Sequence, residues 1–287
     1  MELSEVRKNI DQVDSQIRKL FIQRMSLAEQ VAQVKAQTED DIYKPDREAA
    51  IIEKHLSGMN PKLTREYTAL VKRIMEVSRK YQYGRTLELR DCFPYAYEHT
   101  KKEISHPAML KEEIYLNRDH DQKAIYAADS YEEIGDRIKQ GLSDAGIGVI
   151  EEIAVGASDA LNDVLVKDHF YINQAFISER KGIRRKVVTF TDTLAVDSKD
   201  NRLKLMFECK NHDGSLASIL SMIADYGVNL TEIHSSPFKT EDSWNYRFYV
   251  ELLANLDQKE TRALVFQLAS ETERLYILGS YYCEGDI

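Results

Sequence analysis

The first 44 residues contain neither glycine nor proline, so nothing between Met1 and Lys44 breaks a helix or fixes a turn. Cysteine is scarce as well: Cys92, Cys209 and Cys283 are odd in number, far apart and without metal-ligand spacing. That excludes a disulfide framework and a zinc site and leaves three free thiols. Positive charge is in deficit, with 39 Lys and Arg against 48 Asp and Glu, a net charge of −9 and a pI near 5.4. A nucleic-acid binder would carry a basic domain or stripe, so that class is excluded, whereas an anionic ligand held by a few local cations is not. No apolar run approaches the ~18 residues of a membrane span, and the opening "MELSEVRKNIDQ" is too polar for a secretory segment. The expectation is a cytoplasmic protein that does not engage a membrane.

What is present divides the 287 residues into three regions. Leu3, Val6, Ile10, Val13, Ile17, Leu20, Leu27, Val31 and Val34 recur at heptad a and d positions. They predict one helix roughly 50 Å long at ~1.5 Å per residue. Pro45 is placed at the first position of a second, short helix that runs to about Leu56, and "SGMNP" breaks it. A third helix starts near Pro61 and carries Leu63, Tyr67, Leu70, Ile74, Val77 and Tyr81 at heptad spacing. Residues 1–90 therefore read as an all-α three-helix domain. From 91 to 200 strands and helices alternate: "KAIYAA", "SYEEIGDRIKQG" and "AGIGVI" read as strand, helix and strand. With Ser130 as cap and Gly141 as stop, a parallel βαβ unit is expected around 123–150. A helix near 156–167 and the strand "FYINQAFI" follow. Residues 201–287 run strand, helix, strand, strand, helix, strand, an α+β module of βαββαβ order.

Several charged and polar residues fit the helical pattern poorly. Arg24 stands where the first seam requires an apolar residue. A half-buried guanidinium calls for an anionic partner, although one polar a-position residue can instead set register. Lys35 follows eleven residues later, about 20° round the helix and roughly 16 Å along it, so the two cations can bracket a small anion. Arg7, seventeen residues before Arg24, lies about 100° round and roughly 25 Å away. It is either an exposed e-position charge or a residue that serves a site in a partner chain. In "IYKPDREAAI", Arg47 sits near the positive end of a helix dipole, which disfavours it unless an anion lies close, and Glu48 follows at once. Ser78 and Gln82 are spaced i,i+4 on the third helix, where they form either a polar boundary or a hydroxyl and amide facing a pocket.

Residues 4–83 resemble the all-helical chorismate mutase domain, and the likeness lies in "VRKNIDQVDSQIRKLFIQRMSLAEQVAQVKA", "IYKPDREAAII" and "IMEVSRKYQ". The catalytic pattern of that family falls on Arg7, Arg24, Lys35, Arg47, Glu48, Ser78 and Gln82. The resemblance implies an intertwined homodimer, or a higher homo-oligomer, that converts chorismate to prephenate. Arg24, Arg47 and a partner chain's Arg7 would hold the two carboxylates with help from Ser78. Lys35 and Gln82 would hydrogen-bond the ether oxygen, and Glu48 the ring hydroxyl. The rearrangement is unimolecular and needs no cofactor or metal, only a compact conformer and donors at the ether oxygen.

The last module resembles an ACT domain of the prephenate dehydratase type. "NHDGSLASIL" stands at that family's Gly-Ala-Leu turn and "EIHSSPFK" at its Glu-Ser-Arg-Pro stretch, where Ser235 and Pro237 agree while His234 and Ser236 depart. This implies a phenylalanine or tyrosine effector near Asn211, Gly214, Ser215, Leu216, His234 and Ser235. The layout is that of the chorismate mutase–prephenate dehydratases, but the middle is too short for a two-lobed dehydratase. "VIEEIAVGAS" replaces the Pro-Ile-Glu-Asn-Ser motif, and "KVVTFTD" stands where Thr-Arg-Phe is due. The expectation is a truncated dehydratase-like α/β lobe without dehydratase activity. Residual dehydratase function and a catalytically silent sensor are the alternatives.

Overall fold

The computed structural model describes residues 2–117, 125–209, 214–239 and 244–284. Two compact units result, Met1–Phe93 and Pro94–Ile287. No described helix is long and apolar enough to cross a membrane.

The first unit consists of α1 (Leu3–Thr38), α2 (Pro45–Leu56) and α3 (Thr64–Leu89), the last preceded by one 3-10 turn, Pro61–Leu63. Helix α1 takes up most of the glycine- and proline-free stretch and stops at Glu39, whose left-handed backbone has φ 58°. Pro45 is the first residue of α2, where its absent N–H removes nothing from the helix ladder. The heptad seam is helical as expected, yet within the chain it is bare. Leu3, Ile10, Val13, Ile17 and Leu20 are all more than half exposed, and only Ala28 and Ala32 of α1 are buried. Helix α3 is inverted in the same sense. Leu70 and Tyr81 of its apolar seam are exposed, while Ser78, Arg79, Gln82 and Thr86 are buried beside Met75 and Tyr83. Polar groups turned inward and apolar groups turned outward are the opposite of an ordinary amphipathic bundle.

The second unit is built on one continuous ten-stranded sheet among the described residues. Its elements are β1 (Pro107–Leu110), β2 (Tyr126–Ala128), α4 (Tyr131–Lys139), β3 (Ala145–Glu152), β4 (Gly156–Ala157), α5 (Asp159–Asp168), β5 (Tyr171–Arg180) and β6 (Ile183–Thr191). They continue with β7 (Arg202–Cys209), α6 (Ser215–Asp225), β8 (Asn229–Lys239), β9 (Trp244–Leu253), α7 (Lys259–Glu271) and β10 (Arg274–Glu284). Strand order is β2-β1-β3-β6-β5-β10-β7-β9-β8, with β4 paired to β3. The C-terminal part has the expected βαββαβ order.

The parallel βαβ unit expected around 123–150 is present, with one more strand between its two strands. Helix α4 forms where expected, capped by the Ser130 hydroxyl, which accepts from the Glu133 N–H at 3.2 Å. However, β2 and β3 do not pair with each other: each runs parallel to β1, which lies between them. The crossover therefore spans a strand that the sequence pattern did not reveal.

Strand β10 joins the two parts of the sheet. Arg274–Tyr281 pair antiparallel with β7, and Tyr282–Glu284 pair parallel with β5. At Gly279, in the irregular step of β10, φ is 153° and a Cβ would fall 2.3 Å from the carbonyl oxygen of Ile172. Only glycine lets the strands approach so closely. One apolar cluster extends from Ala108 and Ile134 through Phe170 and Phe190 to Met206, Tyr249 and Leu278. Each large side chain fully buried there contributes about 1.5–3 kcal/mol.

Candidate active site

The inward polar face of α3 meets α1 and α2 around a cavity of about 260 Å³. Arg24, Lys35, Arg47, Glu48, Ser78 and Gln82 all line it. Arg24 and Lys35 come from one face of α1, as the helical repeat requires, and Arg47 and Glu48 from the first turn of α2. Ser78 and Gln82 are stacked one turn apart on α3. Arg7 is exposed near the start of α1 and lies outside this cavity.

The cations outnumber the carboxylates. Arg24, Lys35, Lys44, Arg47 and Arg79 line the cavity against one acid, Glu48. Two of these charges are neutralised locally: Lys44 pairs with Asp40 at 2.5 Å, and Arg79 holds both oxygens of Glu48 at 2.5 and 2.6 Å. Three cations remain. The Arg24 guanidinium donates to the Ser78 hydroxyl and, at 3.3 Å, to the Ile74 carbonyl. Burial holds its pKa below the ordinary value, and Glu48 works in the opposite direction. Arg47 makes no hydrogen bond or ion pair among the described residues. The Lys35 ammonium donates to the carbonyls of Asp41 at 2.5 Å and Ile42 at 3.0 Å, which leaves one of its three N–H groups over. Burial lowers its pKa most, Asp40 opposes this, and the nearby charges of Lys44 and Arg47 lower it further. Such a cluster is stabilised when a compact dianion enters it.

The uncharged donors are also positioned. Ser78 accepts from Arg24 and donates to the Ile74 carbonyl at 3.0 Å, so its hydroxyl is oriented from both sides. Gln82 donates to the Ser78 carbonyl at 3.2 Å, and its Oε1 is buried without a partner among the described residues. Its amide therefore keeps one acceptor, Oε1, and the second N–H of Nε2 for a ligand. There is no nucleophile flanked by a base along this wall. The arrangement can bind a dianion, fold it and donate hydrogen bonds to oxygen.

Arg79 escaped the sequence analysis. It is 6% exposed, its guanidinium lies 4.8 Å from the centre of the Tyr43 ring, and it fixes the Glu48 carboxylate. Its signal in the sequence is only a charge next to Ser78 on a face that the heptad places outside.

The residues expected around an effector lie in the second unit. Gly214 precedes α6 with φ 84°, and Ser215 and Leu216 open that helix. His234 and Ser235 are on β8. The His234 ring nitrogen Nε2 lies 2.8 Å from Asp159 of α5, and the ring stacks on Tyr249. Asn211 lies outside the described residues.

Comparison with known proteins agrees with this geometry. Residues 6–83 match the chorismate mutase type II family, and residues 204–269 match the ACT domain. The bifunctional chorismate mutase/prephenate dehydratase of Aquifex aeolicus (strain VF5) is 22% identical over 355 aligned positions, which take in 98% of this chain and 98% of that protein. The chorismate mutase of Methanocaldococcus jannaschii is 43% identical over 53 residues, 18% of this chain and 54% of that protein. Among solved structures, prephenate dehydratase from Streptococcus mutans shares the fold with a TM-score of 0.53 at 19% identity, over 62% of this chain and 98% of that one. The chain thus carries a chorismate mutase type II domain ahead of a dehydratase-like sheet that takes in an ACT domain, and along nearly its whole length it is similar to a bifunctional chorismate mutase/prephenate dehydratase.

Proposed function

We propose that the chain is a cytoplasmic chorismate mutase of aromatic amino-acid biosynthesis, active as a homodimer and without dehydratase activity. The observation that carries this is the cavity itself, in which three cations without a carboxylate partner, Arg24, Lys35 and Arg47, surround a buried glutamine amide. Chorismate carries two carboxylates and an ether oxygen. Arg24 and Arg47 meet the carboxylates, with Ser78 orienting Arg24. Lys35 and Gln82 donate to the ether oxygen as its bond to the ring carbon breaks and the new carbon–carbon bond forms. Negative charge builds on that oxygen in the transition state, so donors there act more strongly on the transition state than on the substrate. Glu48, held by Arg79, accepts from the ring hydroxyl.

The bare apolar seam of α1 supports the dimer, since a stripe from Leu3 to Leu20 left in water is unfavourable and a second copy covers it. In that dimer Arg7, too far along its own helix, completes the partner's site. The ACT module supports phenylalanine or tyrosine as an effector bound near Gly214, Ser215, Leu216, His234 and Ser235. Absence of dehydratase activity rests on the altered motifs and on length. The alignment with the Aquifex protein runs over 355 positions against 287 residues here, so that protein carries segments that this chain lacks.

One assay separates the alternatives. Purified chain is incubated with chorismate at neutral pH, and prephenate and phenylpyruvate are followed together after subtraction of acid-catalysed background. Prephenate should accumulate and phenylpyruvate should not. Enzyme-dependent phenylpyruvate restores the bifunctional reading, and unconsumed chorismate leaves a silent sensor.

A further inference from the structure

The second unit contains another cavity, of about 310 Å³, which the mutase reading does not use. Its wall comes from the end of β3 (Glu151, Ile153), from Lys186 of β6 and from the C-terminal strands through Arg202, Glu232 and Leu253. Glu151 and Ile153 belong to "VIEEIAVGAS", and Lys186 opens "KVVTFTD". The two segments in which the sequence departs from the dehydratase pattern thus meet at one cavity.

Charges of both signs are buried around it. Lys186, 5% exposed, bridges Glu251 at 3.1 Å and Glu151 at 3.2 Å. Glu251, 1% exposed, also accepts from the Tyr281 hydroxyl at 2.5 Å and the Thr231 hydroxyl at 2.9 Å. Burial opposes the Lys186 charge, but Glu251, Glu151 and Glu232 outweigh it and hold its pKa above the ordinary value. Glu232 sits directly opposite Glu251, at an irregular step in the β8–β9 ladder of the kind that re-aims side chains. One of its oxygens accepts from the fully buried Lys204 at 2.8 Å. The other, Oε1, is buried with no hydrogen-bond partner among the described residues. A buried carboxylate oxygen without a donor is unfavourable, and an N–H that reaches it is correspondingly stabilised. Lys186 and Arg202 line the same cavity, Arg202 in an ion pair with Glu251 at 3.5 Å. At the mouth, Ile153 and Leu253 are each 41% exposed.

We infer that this cavity binds a free α-amino acid with an apolar side chain. The ammonium donates to Glu232 Oε1 and to Glu151, the carboxylate lies against Arg202 and Lys186, and the side chain covers Ile153 and Leu253. The lone acceptor accounts for the ammonium, the two cations for the carboxylate and the apolar mouth for the side chain. A cavity of this volume is at the lower end of those that take small ligands, which suits a single amino acid. This site is separate from the Gly214 and Ser235 region and does not depend on the mutase reading.

The test is calorimetric titration of the full chain with L-phenylalanine and L-leucine, and with two analogues of phenylalanine: phenethylamine, which lacks the carboxylate, and 3-phenylpropionate, which lacks the ammonium. At least one amino acid should bind saturably, and each analogue should bind about 10-fold more weakly than phenylalanine, or worse, the factor for losing one charge-assisted hydrogen bond. Glu232→Gln should weaken amino-acid binding by a similar factor. Because Glu232 is partly buried, Ile153→Glu at the exposed mouth serves as a second variant that leaves the buried network in place, and it should also weaken binding about 10-fold. Chorismate turnover of both variants should match the parent. Absence of binding to the parent chain overturns the proposal. So does undiminished binding in both variants, which would place the amino acid elsewhere.

Discussion

Lys35 has the most exacting role at the scale of single residues, because it must stay protonated in a site that lowers its pKa. Burial, Lys44 and Arg47 all act against its charge. On the proposed mechanism, loss of that proton in the free protein removes the donor to the ether oxygen, so kcat/KM should fall on an alkaline limb with its midpoint below the ordinary lysine value of 10.5. The activity that remains in Lys35→Arg should persist to higher pH, since the guanidinium keeps its proton. Lys35→Ala should lose on the order of 10²–10³ in kcat, as other sites do when one such donor is removed, with an unchanged melting temperature. Arg79 acts indirectly. It positions Glu48, and Arg79→Met should lower kcat/KM on the order of 10²-fold by letting that carboxylate drift, whereas a merely structural arginine would change melting alone. Arg24 with Lys35, and Ser78 with Gln82, could be paired in the sequence because helical repeat fixes which side chains share a face; Arg47 and Glu48 stood out as charges at a helix start, and the resemblance joined them into one set. Arg79 could not be found in this way, because its burial is set by where α2 crosses α3, a tertiary fact.

At the scale of elements, the second unit depends on two joints in its sheet. Gly279 lets β10 pass from β7 to β5 past the Ile172 carbonyl. Gly279→Ala should destabilise the unit by at least the ~1–3 kcal/mol of ordinary overpacking, because the atom it meets is backbone and cannot rotate away. Glu251 ties β6 and β9 through Lys186 and accepts from Tyr281 of β10. Glu251→Ala removes one of the two carboxylates that hold the buried Lys186, Glu151 being the other, and should destabilise the unit in a urea titration by less than the ~3–5 kcal/mol of a fully unpaired buried charge. The helices and most of the longer strands were legible from periodicity and caps, although β6 was not singled out. Strand β1 was not: its four residues are buried throughout, so "PAML" shows no alternation. The βαβ pattern was therefore legible around α4, while the strand between its two strands was not.

At the scale of the whole molecule, the heptad seam of α1 predicted a helix correctly but could not say what covers it. Among the described residues of the first unit nothing does, since Ile10, Val13, Ile17 and Leu20 stay more than half exposed. In the proposed dimer a second copy both covers that stripe and brings an Arg7 to a site that its own helix cannot reach. The most direct test of this account mixes two defects. Arg7→Ala and Arg24→Ala homodimers should each be nearly inactive in chorismate turnover. Refolded together, they form heterodimers in which one site carries both substitutions and the other carries neither. Activity should return to about half the wild-type level per heterodimer and to about a quarter in a random mixture, for a two-fold dimer with independent sites. If mass spectrometry shows exchanged subunits and mixing restores nothing, the shared site does not exist.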